Sequence, residues 1–83
     1  MSLLNLLDSK LAETLRVILT QTNSDTYRWH STTSNRTEIS NRCGISPPSV
    51  NRYINKLKEK TILNKPDGFA RGEYMINRKI IEL

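Results

Sequence analysis

One cysteine, Cys43, leaves this chain of 83 residues without a partner for an internal disulfide. That fits a reducing compartment. One histidine, His30, stands thirteen residues from that cysteine, and two such ligands fall short of the several that a metal site needs. No apolar run approaches the roughly 18 residues of a membrane span. The leucine-rich start is interrupted by Asn5, Asp8 and Lys10 and no basic region precedes it, so it does not read as a signal peptide. Paired carboxylates, a glycine-rich phosphate loop and a nucleophile beside a base are also missing from the pattern. Catalysis is therefore not expected, and no cofactor or small-molecule ligand is implied. No repeat or low-complexity tract divides the chain, so residues 1–83 are expected to form a single domain. Its hydrophobic content of 36% supports one modest core, which a partner surface would help to stabilise.

What the chain does have is basic charge in one place. It carries 13 Lys+Arg against 8 Asp+Glu, a net charge of +5. Residues 1–34 hold three basic and three acidic side chains, and residues 66–83 again hold three and three. Residues 35–65 hold seven basic side chains and only Glu38 and Glu59 against them. The entire excess lies in that middle stretch, the footprint expected of a phosphate-binding surface.

The same stretch has the punctuation of two helices and a tight turn. Ile39, Cys43 and Ile45 are apolar, and Gly44 sits where a chain leaving a helix takes the left-handed conformation. Ser46 is placed to cap a second helix, with Pro47 and Pro48 at its first two positions, where a missing N–H costs nothing. Val50, Tyr53, Ile54 and Leu57 repeat at helical spacing as one apolar stripe. The opposite face carries Pro48, Arg52, Asn55 and Glu59, flanked by Asn51 and Lys56. A short helix, a glycine turn and a second helix with a polar, basic face is the arrangement whose second helix lies in the DNA major groove.

Around this motif the chain reads in order. Residues 2–21 are expected to be helical, with Ser2 as a possible cap and Leu4, Leu7, Leu11, Leu15 and Ile18 on the main stripe. This helix is expected to be the central core strut, while Leu3, Leu6 and Leu7 are available to a second copy of the chain. Asn23, Ser24 and Asp25 mark a turn. Tyr27 and Trp29 alternate with Arg28 and His30 as a short strand. Their rings are expected at the edge of the core, with stacking on bases as the alternative. Ser34, Asn35 or Thr37 is expected to cap the next helix. After the second helix of the motif, Thr61 to Asn77 has the form of a β-hairpin. Ile62 and Leu63 start it, Lys65-Pro66-Asp67-Gly68 is its turn, Gly72 bends it again, and Tyr74, Met75 and Ile76 return. A hairpin in this place is a wing, with Lys65 and Arg71 at its tip to meet phosphate, to enter a minor groove or simply to stay solvated. Ile80, Ile81 and Leu83 suggest a tail that docks on the first helix or on a twin.

Helix, short strand, TEISNRCGISPPSVNRYINKLKEK, then strand, turn and strand resembles the winged helix-turn-helix superfamily. Within it, Ile39 to Asn77 is similar to plasmid replication proteins of the RepL type and to MarR-like regulators, the ending Tyr74-Met75-Ile76-Asn77 resembling the former. The resemblance implies a mainly α fold with a small β-hairpin wing, in the order α-β-α-α-β-β. It implies that Pro47, Pro48, Ser49, Asn51, Arg52, Asn55 and Lys56 face DNA. Arg52 suits guanine O6 and N7, and Asn51 or Asn55 suits adenine N6 and N7. Arg36, Thr37, Arg42, Ser46, Ser49 and Lys58 suit phosphates. Ser40 stands where the family usually has alanine. Thr61 stands where glycine commonly closes the recognition helix, so that corner is expected to differ, since a β-branched residue at positive φ is strained. Cys43 reads as a small buried apolar residue.

The expected function is sequence-specific binding of double-stranded DNA, with the protein a cytoplasmic homodimer held by its N-terminal helix and C-terminal tail. Control of replication or transcription of a plasmid, phage or chromosome follows. The alternatives are a winged-helix module that binds protein, and a single-strand binder using Tyr27, Trp29 and Tyr53 as stacking platforms.

Overall fold

The computed structural model of the protein describes residues 9–77. The elements run α1 (Ser9–Gln21), β1 (Arg28–His30), α2 (Thr33–Cys43), α3 (Pro47–Glu59), β2 (Leu63–Asn64) and β3 (Glu73–Ile76). This is the α-β-α-α-β-β order expected. The Ser2 cap, Leu3, Leu4, Leu6 and Leu7, and the tail from Arg78 to Leu83, lie outside the described residues.

α1 is the core strut. Leu11, Leu15 and Ile18 are buried on its main stripe, and Ala12, Thr14 and Val17 are buried beside them. Thr14 tolerates this because its hydroxyl donates to the Lys10 carbonyl at 2.8 Å, so no polar atom is left without a partner. The Lys10 ammonium in turn donates to the Cys43 carbonyl at 2.9 Å, tying α1 to an orphan carbonyl at the end of α2. Ile39 and Cys43 of α2, and Val50, Ile54 and Leu57 of α3, close the core from the other side.

The cap of α2 differs from expectation. Thr32, not Ser34, Asn35 or Thr37, accepts from the Asn35 N–H, at 3.0 Å, and the helix begins at Thr33. The Asn35 side chain instead donates back to the His30 carbonyl at 2.7 Å, fixing the step from β1 into α2. At the far end Gly44 takes φ 65°, and its N–H and that of Ile45 both bond the Ser40 carbonyl. The Ser40 hydroxyl donates to the Ile45 carbonyl, a bond an alanine would not make. Ser46 caps α3 with Pro47 and Pro48 at its first two positions.

α3 ends at the corner where a difference was expected, yet the left-handed conformation a glycine would take is kept. Thr61 holds φ 59°. Its N–H bonds the Lys58 carbonyl at 3.1 Å and the Ile62 N–H bonds the Leu57 carbonyl at 3.0 Å, the paired bonds of a left-handed helix stop. Ile62 and Leu57 are both fully buried, which supplies the apolar contact of that motif. Because Ile62 serves this stop, β2 begins one residue later than expected, at Leu63.

The wing is part of a three-stranded sheet in the order β1-β3-β2. β3 pairs antiparallel with both neighbours, Leu63 opposite Ile76 and Trp29 opposite Tyr74. Trp29 is fully buried, and its indole donates to the Gln21 side chain at 2.9 Å. Gln21 donates on to the Asn35 carbonyl at 3.1 Å and to Glu38 at 2.7 Å, so one amide joins α1, β1 and α2. Tyr27 takes φ 57°, is half-buried and packs against the core.

Candidate nucleic-acid interface

α3 is built as an amphipathic helix with one side spent and one side free. Val50, Ile54 and Leu57 are buried, while Pro48, Asn51, Arg52, Asn55, Lys56, Lys58 and Glu59 are exposed. Its first turn is tied by hydroxyls. The Ser46 and Ser49 hydroxyls lie 2.9 Å apart, and the Arg52 guanidinium donates to the Ser49 hydroxyl at 3.2 Å. Arg52 is thereby drawn along the side of the helix, 5.9 Å from the centroid of the Tyr53 ring. Lys56 reaches the same ring at 5.6 Å.

Beside the first turn of α3, a cleft of about 520 Å³ opens against α2, lined by Thr33, Arg36, Thr37, Ser40, Asn41, Pro47 and Asn51. It brings together four of the expected residues, Arg36, Thr37, Pro47 and Asn51. Arg36 is half-buried there, and no carboxylate of the described residues lies within ion-pair distance of it. Thr33 and Asn41 were not expected in the site. Thr33, Thr37 and Asn41 recur every four residues, one helix face, and placing the helix start at Thr33 would have revealed them.

Arg42 is not part of this grouping. At about 100° per residue it projects roughly opposite Thr33 on α2, and its guanidinium donates to the Thr20 hydroxyl of α1 at 3.4 Å.

The wing sits at the other end of α3. Lys58 lies 5.3 Å and Lys65 5.8 Å from the centroid of the half-buried Tyr74 ring. Arg71 is exposed in the loop between β2 and β3. That loop is held against β1 by Arg28, which stacks 4.5 Å from the Phe69 ring and pairs with Glu73 at 3.6 Å. His30 also faces Glu73, at 3.8 Å, as an ordinary strand residue. Among the described residues no three His, Cys, Asp or Glu side chains converge as a metal would require, and no helix is long and apolar enough to cross a membrane.

Residues 33–60 match the sequence model of a family described as winged helix-turn-helix DNA-binding. The match begins at the first residue of α2 and ends at the residue that closes α3. No curated protein and no solved structure gives a significant match to the chain. With three helices and an antiparallel wing, the chain has a winged helix-turn-helix fold, and the matched segment holds the two helices and glycine turn of its helix-turn-helix.

Proposed function

We propose that the protein binds double-stranded DNA sequence-specifically, with α3 in the major groove and the wing on the adjacent backbone. One observation carries this reading. All of the net positive charge lies in residues 35–65, and those residues fold into α2, the turn, α3 and the first wing strand, whose polar side is exposed. A protein-binding module has no need of that concentration. Single-strand stacking is disfavoured by the rings themselves: Trp29 is fully buried, and Tyr53 carries Arg52 and Lys56 against its ring.

On this reading Asn51 and Asn55 offer their amides to base edges, where a bidentate pair with adenine is the natural contact. Pro47 and Pro48 bring the first turn close to the groove. Arg36 and Thr37 in the cleft, Ser46 and Ser49 at the cap, and Lys56, Lys58, Lys65 and Arg71 meet phosphates. Arg52 is the residue whose geometry redirects its role. Its tie to Ser49 and its position along Tyr53 favour a phosphate over the guanine that its chemistry suggests. Arg42, turned toward Thr20, is left outside the contact.

The proposal extends to a single domain acting as a homodimer in control of replication or transcription, in the manner of RepL-type or MarR-like proteins, near DNA in the cytoplasm. The apolar residues of α1 from Leu11 to Ile18 are spent on the chain's own core. The case for a second copy therefore rests on Leu3, Leu6, Leu7, Ile80, Ile81 and Leu83 in the sequence. Titration into a labelled random-sequence DNA duplex at two salt concentrations tests the reading. Binding that weakens as salt rises supports contact with DNA phosphates, on which the sequence-specific reading builds. Absence of binding at low salt contradicts it and leaves the protein-binding alternative.

A further inference from the structure

Two tyrosines each gather two cations, and they do so on opposite sides of the recognition helix. Tyr53 holds Arg52 and Lys56 at 5.9 and 5.6 Å, and Tyr74 holds Lys58 and Lys65 at 5.3 and 5.8 Å. At about 100° per residue, Lys58 lies roughly 120° round α3 from Arg52 and roughly 160° from Lys56. The exposed crown between them carries Pro48, Asn51 and Asn55, with one carboxylate, Glu59, among them. None of the four cations has a carboxylate of the described residues within ion-pair distance. Each ring attracts both of its cations through its quadrupole, while the like charges repel one another. An anion placed beside each pair would relieve that repulsion.

Resting on the proposed DNA binding, we infer that these are two phosphate clamps, one for each backbone that borders the major groove, with Tyr53 and Tyr74 as positioning residues. A helix with its side chains is about 10–12 Å across, and the B-form major groove is about 12 Å wide. Cations on both flanks of a helix seated there meet phosphates of both strands at once. A single strand offers one backbone and satisfies one clamp. An A-form duplex has a major groove too narrow to admit the helix. The partner this surface selects is therefore a B-form duplex. The second clamp joins Lys58 of α3 to Lys65 of the wing, so it also fixes the wing relative to the reading helix.

The test is the salt dependence of affinity for a random-sequence DNA duplex of about two helical turns, with single-stranded DNA and double-stranded RNA of the same length beside it. Each phosphate contact contributes about 0.9 to the slope of log affinity against log salt. The double variants R52A/K56A and K58A/K65A are each expected to lower the slope by about 2 on duplex DNA, whereas on single-stranded DNA, which engages one clamp at a time, the two losses together should not exceed that of one pair. Tyr53→Phe and Tyr74→Phe keep the ring and are expected to keep slope and affinity. Tyr53→Leu and Tyr74→Leu are expected to lower duplex affinity several-fold at low salt, with thermal unfolding of each confirming that it is folded. If one double variant leaves the slope unchanged while the other lowers it, the two-sided clamp is overturned and DNA binding stands. Equal slopes on single-stranded DNA or double-stranded RNA overturn it too. If folded leucine variants bind like the parent, the positioning role of the rings is overturned. If the unaltered chain binds no duplex at all, the functional reading fails with it.

Discussion

Gly44 and Thr61 hold nearly the same left-handed backbone conformation, φ 65° and 59°, at the ends of α2 and α3. The first is a residue that adopts it freely, the second one that does not. Opposite effects of substitution follow. A Cβ added at Gly44 meets nothing within 4 Å, so the cost there is conformational. Gly44→Ala should destabilise the fold by about 1 kcal/mol, and Gly44→Asn by less. Thr61→Gly should stabilise it by roughly 0.5–1 kcal/mol, because the relief of strain exceeds the added chain entropy. Urea unfolding of the three variants checks this, and a destabilised Thr61→Gly contradicts it.

The Trp29–Gln21–Glu38 network predicts a stability effect without a DNA effect. Removing the Gln21 side chain leaves the fully buried indole N–H without its acceptor. Gln21→Ala should cost about 1–3 kcal/mol of unfolding free energy. Adding Trp29→Phe should cost less than the sum of the two separate changes, since the pair shares one bond. DNA affinity of the folded fraction should not change, and a selective loss of affinity would place Gln21 in the interface instead.

Asn51 and Asn55 should behave differently from Arg52. Replacing either asparagine by alanine should cost about 1–3 kcal/mol and relax preference at one base position. Arg52→Ala should weaken all sequences alike, as a phosphate contact does. Competition with single-base variants of a selected site separates these patterns. Loss of preference at a single guanine in the Arg52 variant would restore that residue to base reading.

Arg42 supplies the control. It carries the same charge as Arg36 but is turned to Thr20, away from the cleft. Arg36→Ala should weaken binding and lower the salt slope by about 1, whereas Arg42→Ala should leave the slope near that of the parent. Equal losses would mean that the contact surface wraps round α2.

Deletion of Met1 to Leu6 addresses the second copy. A homodimer held by those leucines should fall to monomer mass in sedimentation. A monomer mass before and after the deletion contradicts the dimer.

The two helices of the helix-turn-helix were legible because each local signal agreed with the others. Gly44, Ser46 and the two prolines mark a stop and a start, and the stripe from Val50 to Leu57 sets which side is free. The cap at Thr32 was obscured by a run of residues that all cap well, Thr32 to Asn35, among which only the tertiary path from β1 decides. At the end of α3 propensity argues against threonine at positive φ, while burial of Ile62 and Leu57 holds it there. The pairing of β1 with β3 joins residues more than forty apart, and no local pattern encodes it. The approach of Lys65 to Tyr74 was out of reach for a related reason. Lys65 and Tyr74 meet only when the wing closes, and sequence spacing says nothing of that approach.

The most direct measurement is selection from a random-sequence DNA duplex pool at two salt concentrations, followed by sequencing of what is retained. Sequence-specific duplex binding predicts enrichment of a defined site, as a palindrome or direct repeat with half-sites about one helical turn apart if two copies bind, and retention that falls as salt rises. Salt-sensitive retention with no enriched site would contradict sequence specificity, and no retention at low salt would contradict DNA binding itself.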